Sequence, residues 1–260
     1  MTDEPILSCR DIACGYDRDR PVLSSVNVAV QSGEILTILG GSGSGKSTLL
    51  RTLSGLLEPL AGEVMLFGTD LYAVDYERRA ELLRHAGMLF QREALFGSWT
   101  VLENVMFPAR ELTDVLEPIA RELARAKLAQ LGVLDLAQRH PERISGGQRK
   151  RVALARALIL DPALVFCDEP TTGLDPVTAA LIDEKLLFIR DAFQIAVIAV
   201  THDIASVRRI ADRVLVLAHG EVAASGSVTE VENSSDSDVY ALFHSTETAH
   251  ELERKGRIES

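Results

Sequence analysis

Residues 40–47 read Gly40-Gly41-Ser42-Gly43-Ser44-Gly45-Lys46-Ser47. The spacing G-x-x-x-x-G-K-[ST] follows an apolar run, Glu34–Leu39, and opens an apolar helix beginning Lys-Ser-Thr. That arrangement suits the cradling of phosphate. Glycines permit backbone shapes that turn successive N–H groups inward on an anion. The helix that starts there adds its positive end. Lys46 has the reach for β- and γ-phosphates, Thr48 follows in the same turn, and the Ser47 hydroxyl is a hard ligand for Mg2+. A flexible Gly/Ser linker would not continue as Lys-Ser-Thr into an apolar helix.

A second set of chemical groups lies at 164–169, Leu-Val-Phe-Cys-Asp-Glu. An apolar strand carries two carboxylates out at its C-terminal end, the edge at which open α/β sheets bind ligands. Asp168 fits the shell of a magnesium ion, and Glu169 is placed to polarise an attacking water as general base. A third set is Ile144-Ser145-Gly146-Gly147-Gln148-Arg149-Lys150-Arg151, a capped, glycine-rich start to a basic helix running to about residue 160. It makes a second anion-facing helix N-terminus in the same chain.

The elements that must hold these groups alternate in pattern. Apolar segments near 22–30, 34–39, 62–67, 163–167, 195–200, 214–218 and 221–224 read as strands, and 75–85, 177–192 and 203–211 as helices. Near-continuous apolar strands between helices imply a parallel sheet covered on both faces. The stretch 100–140 is helical, with Leu116, Ile119 and Leu123 at helical spacing and expected to face the core, and Pro118 in a first turn. It reads as a helical lobe inserted in the α/β pattern. Beyond residue 220 there are nine acidic and three basic residues, with a short helix expected around 238–244.

Composition narrows the function classes. The chain has 260 residues, 47% hydrophobic and 25% charged, as in an ordinary globular protein. A net charge of -11 opposes a surface built for nucleic acid while allowing one local anionic ligand. Three scattered cysteines, Cys9, Cys14 and Cys167, have no metal spacing and are expected as buried, reduced thiols. The start, MTDEPILSCRD, lacks a signal-peptide pattern, and no run approaches about 18 uncharged apolar residues.

Taken in order, the phosphate loop, Gln91, SGGQ, CDEPTTGLD and His202 resemble the ATP-binding subunit of an ABC transporter over roughly residues 5–230. The resemblance implies an α/β fold: a P-loop NTPase core of ABC ATPase type, with an N-terminal antiparallel β part and an α-helical subdomain inserted at about 92–160. An ATP-binding domain would span 1–230 and an acidic tail 231–260. It implies two ATPs sandwiched in a head-to-tail homodimer, each touching the phosphate loop of one copy and Ser145, Gly146, Gly147 and Gln148 of the other. Asp175 would connect the two sites. Glu169 would be the general base, His202 would contact the γ-phosphate, and Gln91 would reach both Mg2+ and the attacking water. Ser47, Gln91 and Asp168 would form the metal shell, and Tyr16 would stack on adenine. Every catalytic position is filled, so an active ATPase is expected rather than a non-catalytic binding subunit.

The run from Phe90 to Glu111 is similar to the ATPases of Mla/Mce-type phospholipid transport systems, through Ala94-Leu95-Phe96, Gly97-Ser98 and Phe107-Pro108. That resemblance implies a permease touching the Gln91–Trp99 stretch, an MCE-domain lipid-binding protein in the same complex, and a peripheral place on the cytoplasmic face of a bacterial inner membrane. Phe96 is expected to be partly buried; Trp99 could pack inside the lobe or face the permease. Two further readings stay open: the ATPase of an importer for a polar solute such as an amino acid, and a soluble ABC-type ATPase acting on nucleic acid or ribosomes.

Overall fold

The computed structural model describes residues 4–244. The expected tail at 231–260 therefore lies partly outside the described residues. The strands are β1 (Leu7–Cys14), β2 (Leu23–Val30), β3 (Ile35–Gly40), β4 (Ala61–Leu66), β5 (Thr69–Asp70), β6 (Ala86–Leu89), β7 (Leu164–Asp168), β8 (Ala196–Val200), β9 (Arg213–Ala218) and β10 (Glu221–Gly226). The helices are α1 (Lys46–Leu53), α2 (Tyr76–Leu83), α3 (Val101–Leu112), α4 (Glu117–Gln130), α5 (Gly146–Ala157), α6 (Pro176–Phe193), α7 (Ile204–Ile210) and α8 (Val228–Glu232). A last helix, α9, runs from 237 to the end of the described residues at 244.

Two sheets form. One has four strands in the order β2-β1-β4-β5 and is antiparallel. The other has six, β10-β9-β3-β8-β7-β6, parallel from β9 to β6 with β10 returning antiparallel. Every residue of β3, β7 and β8 is buried. That follows from their largely apolar sequences, which suit strands covered on both faces. The sheet order sets the carboxyl ends of β3, β8, β7 and β6 side by side. Ile38 pairs with Val200, Asp168 with Val200, and Leu89 with Cys167. Residues more than a hundred positions apart thereby meet at one sheet edge.

α3, α4 and α5 lie between β6 and β7 in the chain and share one apolar cluster that includes Val105, Ala120, Leu128 and Leu154. Pro118 is in the first turn of α4, as its sequence position requires. The stripe expected to face the core does not. Leu116, Ile119 and Leu123 are 69%, 50% and 38% exposed, while Ala120, Ala124, Lys127 and Leu128 are buried. Both rows have helical spacing, so periodicity cannot choose between them. Close approach of α4 to α3 and α5 selects the alanines, whose small side chains let the helix axes come together, and turns the leucines outward. All three cysteines are buried and unpaired by disulfide, and burial pushes the Cys9 and Cys167 thiols up to about 12.

Candidate functional site

β3 ends at Gly40 and the loop that follows closes on α1. Gly45, the N-cap of α1, has φ 99°, and a Cβ there would meet Leu23 at 2.7 Å, so both conformation and space demand glycine. No side chain caps α1. Lys46 is buried, and its Nζ donates to the carbonyls of Gly40 at 2.9 Å and Gly41 at 2.8 Å. Burial lowers its pKa, and the nearby Glu169 and Asp168 carboxylates oppose that shift. The Ser44 hydroxyl is buried without a hydrogen-bond partner.

β7 brings its carboxylates to the same place. Ser47 Oγ donates to Asp168 Oδ1 at 3.3 Å, and burial raises the pKa of Asp168. Glu169 sits just past the strand in the left-handed region, φ 50°, with its amide donating to Val200 O at 2.9 Å. Its carboxylate accepts from Thr172 Oγ1 at 2.7 Å and lies 3.0 Å from His202 Nδ1, which follows β8. Gln91, two residues beyond β6, completes a cavity of ≈ 590 Å³ lined by the phosphate loop, Val22, Gln91, Glu169, His202 and Leu242.

The residues available fit a nucleotide and a divalent cation. The α1 amides have no side-chain acceptor and the Ser44 hydroxyl has no partner, as expected where an anion supplies the missing acceptor. Ser47 and Asp168 are a close pair of hard oxygen donors. No cluster of three His, Cys, Asp or Glu able to hold a metal occurs among the described residues. Mg2+ is usually held by one or two carboxylates together with substrate phosphates, a shell to which this pair can contribute.

The remaining candidates lie elsewhere. Ser145 caps α5, accepting from Gln148 N at 3.3 Å, while Gln148 Oε1 accepts from Ser145 N at 2.9 Å. Gly147 is buried so tightly that a Cβ would fall 2.2 Å from Thr178 Cγ2. Asp175 caps α6, accepting from the Val177 and Thr178 amides. None of these lines the cavity. Neither does Tyr16, which is 66% exposed, its hydroxyl accepting from Arg51 Nη1 at 2.7 Å.

Beyond Gln91 the loop is organised by Asn104 of α3, wholly buried. Its Oδ1 accepts from Phe96 N at 2.7 Å, and its Nδ2 donates to Phe96 O at 3.1 Å and Thr100 O at 2.9 Å. Phe96, Trp99 and Phe107 form an aromatic cluster with ring centroids 4.4–5.4 Å apart. Phe96 is 41% exposed, more open than its sequence suggested, and Trp99 is half-buried. Phe96 and Phe107 line a groove of ≈ 470 Å³ with Met88, Phe90, Ala94 and Pro108. Sequence reasoning gave no role to Asn104, Lys150 or Arg156. The signal for Lys150 was available: it falls three residues after Gly147 and four before Leu154, on the buried row of α5.

A family model described as ABC transporter matches residues 23–172. The chain belongs to the ABC transporter family. It is an ATPase subunit of that family and binds nucleotide. The phospholipid-transport ATP-binding protein MlaF of Haemophilus influenzae is 37% identical over 218 residues, 84% of this chain and 83% of that protein. The methionine import ATP-binding protein MetN of Latilactobacillus sakei is 35% identical over 259 residues, 96% of this chain and 75% of that protein. Among solved structures, cbiO1 of Clostridium perfringens, part of an ABC transporter complex, aligns with TM-score 0.82 at 29% identity over 96% of this chain and all of its own. A dimeric ATP-binding cassette in a post-hydrolysis state with ADP and Pi aligns with TM-score 0.77 at 30% identity, over 85% of this chain and 98% of its own. No helix among the described residues is long and apolar enough to cross a membrane.

Proposed function

We propose that this ABC ATPase works as a head-to-tail homodimer at the cytoplasmic face of a bacterial inner membrane, driving a permease that moves phospholipid in an Mla/Mce-type system. The observation that supports the catalytic half of the reading is the meeting of Lys46, Ser47, Glu169, Gln91 and His202 around one cavity, with Asp168 hydrogen-bonded to Ser47 and with Ser145–Gln148 absent from the lining. ATP would lie on the phosphate loop of one copy and be closed over by Ser145 and Gly147 of the second. Tyr16 would serve the adenine, and Asp175 would join the two sites. Glu169 takes the proton of the attacking water as its oxygen bonds the γ-phosphorus and the bond to the β-phosphate oxygen breaks. His202, 3.0 Å away, holds the Glu169 carboxylate in place. Ser47, Asp168 and Gln91 would hold Mg2+, which supplies neutralisation of developing phosphate charge.

The lipid half rests on the groove. The segment most like the Mla/Mce ATPases contributes Ala94, Phe96, Phe107 and Pro108 to its lining. An apolar, aromatic groove beside Gln91 suits a permease helix laying down its apolar face. The MlaF likeness supports the same reading. The MetN likeness is comparable and favours a second one, an importer of a polar solute such as an amino acid.

Affinity purification from gently solubilised membranes of the host, with partners and lipids identified by mass spectrometry, separates them. A permease arriving with an MCE-domain protein and phospholipid is the expected result. A permease arriving with a soluble solute-binding protein would replace the lipid reading by the importer.

A further inference from the structure

Lys150 is among the largest fully buried side chains of the described residues, 1% exposed, on the helix that begins at Ser145 and Gly146. Its ammonium donates to the carbonyl of Gln91 at 2.6 Å and to that of Glu169 at 3.2 Å, and lies 3.7 Å from the Glu93 carboxylate. Six residues further along α5, Arg156 donates to the carbonyls of Glu93 and Ala94, each at 2.6 Å. Three carbonyls of the segment 91–94 are thus held by cations of one helix. Glu93 and Ala94 both sit in the left-handed region, φ 52° and 49°. Non-glycine residues persist there only where their surroundings hold them. Glu169, the other residue bound by Lys150, is left-handed as well, φ 50°.

Stability alone does not account for a lysine here. Burying an ammonium costs several kcal/mol before its partners repay it, and an apolar residue of similar volume often serves a core as well. The ammonium does what an apolar side chain cannot: it fixes two backbone carbonyls that follow different strands, one after β6 and one after β7.

Resting on the catalytic reading of Gln91 and Glu169 above, we infer that Lys150 is a positioning residue that ties both of them to α5, so that whatever engages Ser145–Gly147 in trans also sets the catalytic geometry in cis. Ser145 and Lys150 are five residues apart on one rigid helix, about 7 Å along its axis. A nucleotide presented by a second copy at the helix start and the water-polarising groups of this copy's own site then move as one body. The phosphate loop hangs from β3 and is outside this linkage.

The test is steady-state ATP hydrolysis by the full chain carrying Lys150→Met, which keeps the unbranched stem and removes every donor. Lys150→Gln, which keeps a neutral donor, and Glu169→Gln run beside it. The expected result is a kcat lowered about tenfold to a hundredfold in Lys150→Met, as for small misplacements of catalytic groups. KM and directly measured ATP affinity should stay within about twofold, and Lys150→Gln should fall in between. A folded Lys150→Met with wild-type kcat would overturn the inference. So would failure of both Lys150 variants to fold, which would make the residue purely structural. Turnover surviving in Glu169→Gln would instead overturn the catalytic reading on which the inference rests.

Discussion

The two helix N-termini proposed to face anions are built in opposite ways. α1 opens at Gly45 with no side-chain cap, a left-handed glycine and a buried lysine turned onto its own loop. α5 opens at Ser145 with a complete capping box, the Ser145 oxygen taking the Gln148 amide and the Gln148 side chain taking the Ser145 amide. A helix start leaves amides without partners inside the helix. At α1 nothing from a side chain answers them, so an anion completes the structure. At α5 the serine answers part of the need itself and keeps its hydroxyl proton to donate outward. The first is a start that a bound anion would finish; the second is already capped and, on the proposed reading, would lend one more donor to a ligand brought to it. This asymmetry suits nucleotide binding at α1 first, with α5 of a second copy joining afterwards.

The largest expected effect lies between these two ends, at Glu169. Glu169→Gln keeps the shape of the side chain but loses its basicity, and kcat should fall by about 10²–10⁴ while ATP binding at α1 persists. Near-normal turnover measured by phosphate release would break the comparison, since neither helix start would then be serving hydrolysis. The next effect belongs to α1 alone. Lys46→Ala removes a charge-assisted donor to phosphate, worth about 1.5–3 kcal/mol, so equilibrium binding of ATP should weaken about tenfold to a hundredfold. Unchanged affinity would mean that Lys46 stays on the Gly40 and Gly41 carbonyls when nucleotide is bound.

What the sequence could declare follows the same divide. The phosphate loop is contiguous and its chemistry is local, so residue types at eight successive positions were enough. The carboxylates at the end of an apolar strand were legible for the same reason. The meeting of Gln91 and His202 with them depends on the order of strands in a sheet, and only the family resemblance supplied it. The polar groups that hold the α5 lobe to the core were not seen at all. Lys150 and Arg156 read as part of a basic helix, because whether a cation is buried depends on what packs over it. Nothing local in the sequence marks Asn104, though its side chain bonds the turn at Phe96 and Thr100. The orientation of α4 was misread because bulk was taken as the sign of the core, where close helix packing had selected alanine.

Ser145→Ala sharpens the contrast at lower amplitude. Loss of an N-cap costs about 1 kcal/mol, so the thermal midpoint should drop by a few degrees, as expected for a chain of this size. ATP affinity of the dilute, monomeric chain should not change, because Ser145 is absent from the cavity of its own copy. A weakened monomer affinity would show that α5 reaches the nucleotide in cis, and the division of labour between the two helix starts would fail.

The smallest effect tests what supports the α5 side of the comparison. If α4 holds α5 through Ala120, Ala124 and Leu128, then Leu116, at 69% exposure, contributes little to that support. Leu116→Gln should change unfolding free energy by no more than about 0.5 kcal/mol, the usual range for exposed positions, measured by denaturant titration. A loss of about 2 kcal/mol or more, the size seen when a buried leucine is truncated, would put the leucine row back in the core. The capping box of α5 would then rest on different packing from the alanine contacts described, and its independence of ligand would need another cause.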